Sequence, residues 1–352
     1  MKPLHKAVLV AAVISFICGS MPAEAKRHVK AKEVAFQWNL PSGIAQSDLK
    51  IPADNPMTNA KVELGRLLYF DKRLSADDTV ACATCHAPER GFTDNAPVST
   101  GIKGQKGGRG APTVINRALS DTQFWDGRAM SLEAQAKGPL TNPIEMGMPN
   151  HDAVVAKLKN IKGYQSMFVR AFGKPGVNID TVAQAIAAFE RTVLSGNSKY
   201  DRYQAGDKKA MTEAEARGME LFNGKARCAT CHGGVNFTDE QYHNIGVGMD
   251  AAEPDMGRYN VTKNDGDKGA FKTPTVRDIS ATGPYMHNGQ EKTLEEVVAY
   301  YNKGGFPNAN LDPLMEPLNL TDAEQNDVVA FMKALDGQGG WKNIKAPGIF
   351  PK

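Results

Sequence analysis

One pentapeptide occurs twice in this chain of 352 residues: Cys82-Ala83-Thr84-Cys85-His86 and Cys228-Ala229-Thr230-Cys231-His232. The repetition extends to both sides. Glu63-Leu64-Gly65-Arg66-Leu67-Leu68-Tyr69-Phe70 precedes the first copy, and Ala216-Arg217-Gly218-Met219-Glu220-Leu221-Phe222 the second. Phe92-Thr93-Asp94 follows the first, and Phe237-Thr238-Asp239 the second. Such self-similarity marks an internal duplication, with one helix leading into each motif. Leu64, Leu67 and Leu68 share one face of the first such helix. C-x-x-C-H attaches c-type haem through its two thiols and places the adjacent histidine to ligate the iron. A zinc site would need four sulfurs close in space. A redox dithiol would need one C-x-x-C, in a βαβ setting this sequence lacks, and two identical pentapeptides argue against plain structural disulfides. The expected cofactors are two covalently bound haem c groups, one on Cys82, Cys85 and His86, the other on Cys228, Cys231 and His232.

The rest of the sequence is mainly helical in pattern. Asp152 to Leu158 and Ile179 to Leu194 have helical periodicity, the latter behind Asn178 as N-cap. Thr293 with Glu296 and Thr321 with Glu324 are capping boxes, opening helices that reach Tyr301 and Leu335. Little alternates with period two, so strands should be few. Long Gly- and Pro-bearing segments at 87–117, 138–150 and 233–284 are unusual in a compact domain. They make sense if they wrap large apolar groups that supply the missing core. The expected fold is mainly α: two cytochrome c-like haem domains with long irregular loops. Interruptions at 195–198 and 206–209 place the boundary, giving an N-terminal haem domain over 26–205 and a C-terminal one over 206–352.

Residues 1–25 read as a secretory signal. Lys2 and Lys6 precede an apolar run from Ala7 to Cys18, and Ala23-Glu24-Ala25 forms the cleavage site. The run is too short to span a bilayer comfortably. The expectation is an exported, periplasmic bacterial protein that does not span the membrane after cleavage. Cys18 departs with the leader, and the four remaining cysteines all lie in the two motifs. Hydrophobic residues at 41% and charged residues at 23% exclude a disordered chain. A net charge of +3 without a basic block argues against nucleic acid as a partner.

Several segments together resemble the bacterial dihaem cytochrome c peroxidase/MauG superfamily over nearly the whole chain beyond the leader. They are Leu64-Gly65-Arg66, both haem motifs, Phe124-Trp125-Asp126-Gly127-Arg128, Asn142-Pro143-Ile144-Glu145-Met146, and Thr282-Gly283-Pro284-Tyr285-Met286-His287-Asn288-Gly289. The resemblance implies an oxidoreductase in which H2O2 meets the N-terminal haem, on His86, while the C-terminal haem, on His232, relays electrons. Trp125 matches the tryptophan between the haems. Gln135, Pro139 and Glu145 match the distal-pocket trio. Glu145 is then the general acid–base that moves a proton between the peroxide oxygens, and Gln135 and Pro139 shape the pocket.

Two positions sort the branch. The usual peroxidases carry a distal histidine in a Ser-Thr-Gly-His context, where this chain reads Ser99-Thr100-Gly101-Ile102, so no histidine can cap the iron from there. As sixth ligand of the relay haem the peroxidases have Met where this chain has Tyr301, and MauG-like proteins have Tyr. A phenolate is a hard anionic donor that favours oxidised iron, whereas a thioether raises the potential. Tyr301 therefore favours the MauG-like branch, with Met286 or Met315 as the alternative ligand.

Other positions depart from the pattern. Ala226 stands where MauG has a tryptophan used as an electron exit. Gly110 stands where the family has an asparagine that binds calcium between the haems, leaving the backbone oxygens of Thr282 and Pro284 as the expected calcium ligands. His287 is expected beside the relay haem. Arg109, Arg128 and Arg277 are candidates for haem propionates, and His28, His151 and His243 read as solvent-facing or capping residues. The implied partners are H2O2 and either a small redox protein, a c-type cytochrome or cupredoxin, or a protein substrate. The alternative reading is a dihaem electron-transfer cytochrome without peroxidase activity.

Overall fold

The computed structural model describes residues 35–352. The expected leader, Cys18 and His28 lie outside the described residues. The first half contains α1 (Asn59–Phe70), α2 (Cys82–Cys85), α3 (Leu132–Thr141), α4 (His151–Lys159), α5 (Lys162–Phe172) and α6 (Ile179–Glu190). The second contains α7 (Lys199–Gln204), α8 (Glu213–Asn223), β1 (Tyr242–His243), α9 (Tyr259–Thr262), β2 (Phe271–Lys272), α10 (Leu294–Asn302) and α11 (Asp322–Ala334). The strands are two residues each and pair antiparallel. Among the described residues no helix is long and apolar enough to cross a membrane.

The polar caps form as the sequence suggests. Asn178 accepts from the Thr181 amide at the start of α6. Thr293 and Thr321 accept from the amides of Glu296 and Glu324, and each glutamate returns a bond to its cap. Amides that a helix start leaves without intrahelical partners are thereby satisfied. Two differences stand out. The α6 helix ends at Glu190, short of Leu194, because the chain tightens there and the Thr192 amide bonds back to Phe189 O (2.8 Å). The periodicity reading also misses α5, which has no capping side chain at Ile161 and a glycine in its first turn, yet buries Tyr164, Phe168 and Ala171 along one face.

Two hydrophobic cores follow from the duplication. The first gathers Leu64, Leu68, Tyr69, Phe92, Phe168 and Phe189, the second Phe222, Phe237, Val328, Phe331 and Leu335. In each, the helix leading into the haem motif crosses the half's long late helix at a glycine. A Cβ on Gly65 would lie 1.8 Å from Ala185 O, and one on Gly218 would lie 1.8 Å from Asp327 O. Alanine at either place would force the helices apart. The chain end crosses back to the first half. Trp341, Ile344 and Phe350 pack on the first core, and the Gly163 amide donates to Lys352 O (2.7 Å).

Candidate functional site

Each Cys-x-x-Cys-His segment winds into a tight turn. The His86 amide closes on Cys82 O (2.9 Å) and the His232 amide on Cys228 O (2.8 Å). All four thiols are free of disulfides. Nδ1 of His86 lies 3.3 Å from Phe92 O, and Nδ1 of His232 lies 3.3 Å from Phe237 O. Both phenylalanines have left-handed backbones, at φ 57° and 52°, a costly conformation for a bulky side chain. Its recurrence at equivalent positions ties the strain to the site. An imidazole that donates Nδ1–H to a carbonyl presents its Nε2 lone pair to a metal. Burial lowers the pKa of both rings and keeps them neutral. It also pushes the Cys82 thiol well up, Cys85 up to about 11 and Cys228 to about 12.

These groups fit covalent haem. The second set opens onto a cavity of about 240 Å³, walled by Phe222, Val298 and Met332 as well as Cys228, Cys231 and His232. Protein interiors leave few voids larger than a water molecule, so a cavity of this size is built for a large occupant. Tyr301, on α10, lines it, as do Met286, His287 and Met315. Burial, then the nearby Cys228 and Cys231, push the Tyr301 phenol well above its usual range. Its hydroxyl takes part in no hydrogen bond among the described residues.

The segment around Glu145 is tightly folded on the end of α3. Pro139 sits inside α3 and lacks the N–H that would bond the Gln135 carbonyl. Pro139 O accepts from the Met146 amide (3.2 Å) and Leu140 O from the Met148 amide (3.0 Å). Gln135 lies one turn before Pro139 on the same helix face, and its side-chain amide has no partner among the described residues. Asn142 Nδ2 donates to Glu145 Oε1 (2.7 Å), while Oε2 receives no hydrogen bond. Burial raises the Glu145 pKa, against the opposing influence of Arg128 and Asn142. The loop bearing Ile102 is bound to this segment: the Ile102 amide donates to Glu145 O (2.9 Å), and Cys85 Sγ lies 3.7 Å from Thr100 O.

Between the halves the duplication runs further than the sequence comparison followed it. Phe124-Trp125-Asp126-Gly127 corresponds to Met286-His287-Asn288-Gly289. Phe124 and Met286 have φ 68° and 70°, the glycines 65° and 66°. The loops exchange bonds across the halves: the Lys272 amide donates to Trp125 O (2.8 Å) and the Gly110 amide to His287 O (2.9 Å). The Trp125 indole donates to Gly110 O (2.9 Å) and lines the cavity with His232. His287 stacks on Phe271, ring centroids 3.7 Å apart.

Thr282 and Pro284 line the same cavity, and no hydrogen bond among the described residues takes up their carbonyls. The neighbouring carbonyls of Ala281 and Gly283 accept from Asn95 Nδ2, at 3.0 and 2.7 Å. Unbonded carbonyls of this kind fit a hard cation.

Arg109 pairs with Asp255 and Asp126, Arg128 with Asp126, and Arg277 with Asp201, so each of the three propionate candidates already gives part of its donors to a carboxylate. One expected role is corrected. His243 is not solvent-facing. It lies between Asp312 (2.6 Å) and Asp239 (3.0 Å), whose carboxylates hold its pKa above the usual imidazole value. His151 is the first residue of α4, its Nε2 3.1 Å from Lys137 O. Ala226 is buried in the cavity wall. Arg117, Glu190 and Lys272, buried charged residues near the sites, escaped the sequence reading because no local motif marks them.

Comparison with known proteins gives a consistent result. The sequence model of the di-haem cytochrome c peroxidase family matches residues 59–209, and that of cytochrome c matches 215–336. The chain is 42% identical over 290 residues to the methylamine utilization protein MauG of Methylorubrum extorquens, covering 82% of this chain and 81% of the relative. It is 37% identical over 289 residues to the cytochrome c551 peroxidase of Nitrosomonas europaea, covering 82% and 83%. The crystal structure of a MauG-like protein associated with microbial copper homeostasis superposes with a TM-score of 0.80 at 36% identity, over 86% of this chain and 96% of the other.

Proposed function

Because this chain belongs to the di-haem cytochrome c peroxidase family that includes MauG, it is a peroxidase with two covalently bound c-type haems, and we propose that it works in the MauG-like manner, without prior reduction. In this reading residues 26–205 and 206–352 are the two haem domains. His86 and His232 would each hold one haem iron, Tyr301 would offer its oxygen to the iron of the second site, and Trp125 would carry electrons between the two. The haems supply redox-active iron, able to pass two electrons to each H2O2.

The chain's own residues handle the protons. A carboxylate at Glu145 takes the proton from one peroxide oxygen and returns it to the other, which leaves as water. Asn142 fixes one carboxylate oxygen and leaves Oε2 for this transfer. The Gln135 amide, without a protein partner, orients the peroxide, and Pro139 narrows the space around it. Two electrons and two further protons complete the reduction of H2O2 to two waters. The electrons come from a small redox protein, a c-type cytochrome or cupredoxin, or from a protein side chain that is thereby oxidised. A calcium ion on the Thr282 and Pro284 carbonyls and residence in the periplasm belong to the same proposal.

The observation that carries the reading is Ile102. A buried aliphatic side chain stands at the sequence position where the usual peroxidases carry a histidine, and its loop is bonded to Glu145. The test is stopped-flow absorbance of the fully oxidised protein mixed with equimolar H2O2, followed by addition of each donor class in turn. Direct reaction is the expected result. Silence until an electron is supplied would overturn the MauG-like assignment.

A further inference from the structure

The wall of the second cavity carries an excess of buried positive charge. Arg117, in a 3-10 turn of the first half, and Lys272, on β2, both line the cavity that contains His232 and Tyr301. Their side chains are 10% and 3% exposed. One carboxylate serves both: Glu240 lies 3.7 Å from Arg117 Nη2 and 3.1 Å from Lys272 Nζ. Glu240 also accepts from Ser120 Oγ (2.7 Å), and that hydroxyl accepts from Arg117 Nη2 (2.5 Å). Arg117 Nε is buried without a hydrogen-bond partner. The acid next in reach, Asp121, is exposed and paired with Lys50.

Two cations against one buried anion leave a net positive charge out of water, which is costly unless a further anion enters. The ammonium of Lys272 has three donors and the guanidinium of Arg117 five, so both retain bonds to give. The occupant of the cavity brings the missing charge, since a haem carries two carboxylates. We infer that Arg117 and Lys272 together bind a propionate carboxylate of the haem attached at Cys228 and Cys231. This rests on that haem filling the cavity. Burial, together with the like charge of Arg117, brings the Lys272 pKa down to about 7, and a bound carboxylate would offset that penalty.

The geometry has two consequences. Arg117 comes from the first half and Lys272 from the second, so one propionate ties the relay haem to both. Positive charge beside the haem also stabilises the extra electron of the reduced iron and holds its potential up.

The test uses the holoprotein with Lys272→Gln, Arg117→Gln, Glu240→Gln and the charge-conserving Lys272→Arg. Intact mass first reports whether both haems are attached, which checks the cofactor reading separately. Potentiometric titration and resonance Raman spectra of the propionate bending modes then test the inference. Lys272→Gln and Arg117→Gln should lower the potential of the relay haem alone and shift its propionate band. Glu240→Gln should raise that potential, and Lys272→Arg should restore the parent values. If both glutamine variants at the cations carry two haems yet leave potential and propionate band unmoved, the cluster serves only to join the halves and the inference is wrong.

Discussion

The backbone amide of Ile102 donates to the carbonyl of Glu145 at 2.9 Å. The residue that stands in for a blocking histidine is thus bonded to the residue assigned the acid–base step. The bond is reinforced around it. The Gln105 side chain donates to Pro143 O (3.1 Å), and the Ile102 side chain packs so closely on Gly147 that a Cβ there would lie 2.1 Å from Ile102 Cδ1. The 5% exposed Ile102 belongs to the first hydrophobic core together with Met146 and Met148. A loop anchored in this way has little freedom to swing, and an isoleucine has no lone pair to give.

Restoring a ligating side chain should restore a lock. Ile102→His is expected to convert the first haem of the oxidised protein towards a low-spin spectrum and to slow its direct reaction with H2O2 at least about tenfold. Parent-like spectra and rates in a folded, two-haem variant would mean that position 102 cannot reach the iron.

Glu145 should leave a mark on the pH profile. Burial raises its pKa above the ordinary 4.5, and the step begins with the carboxylate taking a proton. The rate of reaction with H2O2 should therefore fall as pH drops through that raised value, on a limb lying above 4.5. Glu145→Gln keeps the size, removes the limb and slows the reaction about 100-fold, within the range of general acid–base contributions. A Gln variant that keeps both the rate and the limb would assign the proton transfer elsewhere.

What was legible in the sequence was chemistry confined to a short stretch. Covalent haem attachment needs two thiols and an imidazole within five residues, so Cys82 to His86 and Cys228 to His232 announce themselves. The caps at Asn178, Thr293 and Thr321 are equally local, since each bonds an amide three residues on. The Arg117–Ser120–Glu240–Lys272 cluster is of another kind. It is assembled from three distant segments whose meeting depends on the two halves packing together. The same holds for the bridging of His243 to Asp312 and for the pairing of Arg277 with Asp201. Helix α5 was hidden for a different reason: its stability comes from the buried face of Tyr164 and Phe168 rather than from terminal signals.

Tyr301 is testable through the spectrum of the second haem. Tyr301→Phe keeps the ring in its buried place but removes the oxygen, and Tyr301→Met substitutes a thioether. Both should change the low-spin ligand field, and the Met variant should raise the potential. If neither variant alters the electron paramagnetic resonance of the low-spin haem, the ligand comes from another wall residue, with Met286 and Met315 the first to replace.

Glu190 offers a prediction about stability. It ends α6 beneath the first haem motif, fully buried, with Oε2 lacking any hydrogen-bond partner. Its neighbour Arg191 is already held by Glu133 at 2.7 and 2.9 Å, so it compensates only in part. Burial therefore raises the Glu190 pKa to about 8 from 4.5. Between those values the folded chain keeps a proton that the unfolded chain has released. Stability from this group is thus intact below about pH 4.5, declines as pH rises from there to about 8, by up to about 1.4 kcal/mol per pH unit, and is lost above it. Glu190→Gln presents a neutral amide of the same size and removes the dependence. Its melting temperature should match the parent near pH 4, exceed it increasingly from about pH 5 to about pH 8, and keep a constant advantage above that. Parallel curves for the two proteins across that range would show that the carboxyl ionises in the fold as freely as in water.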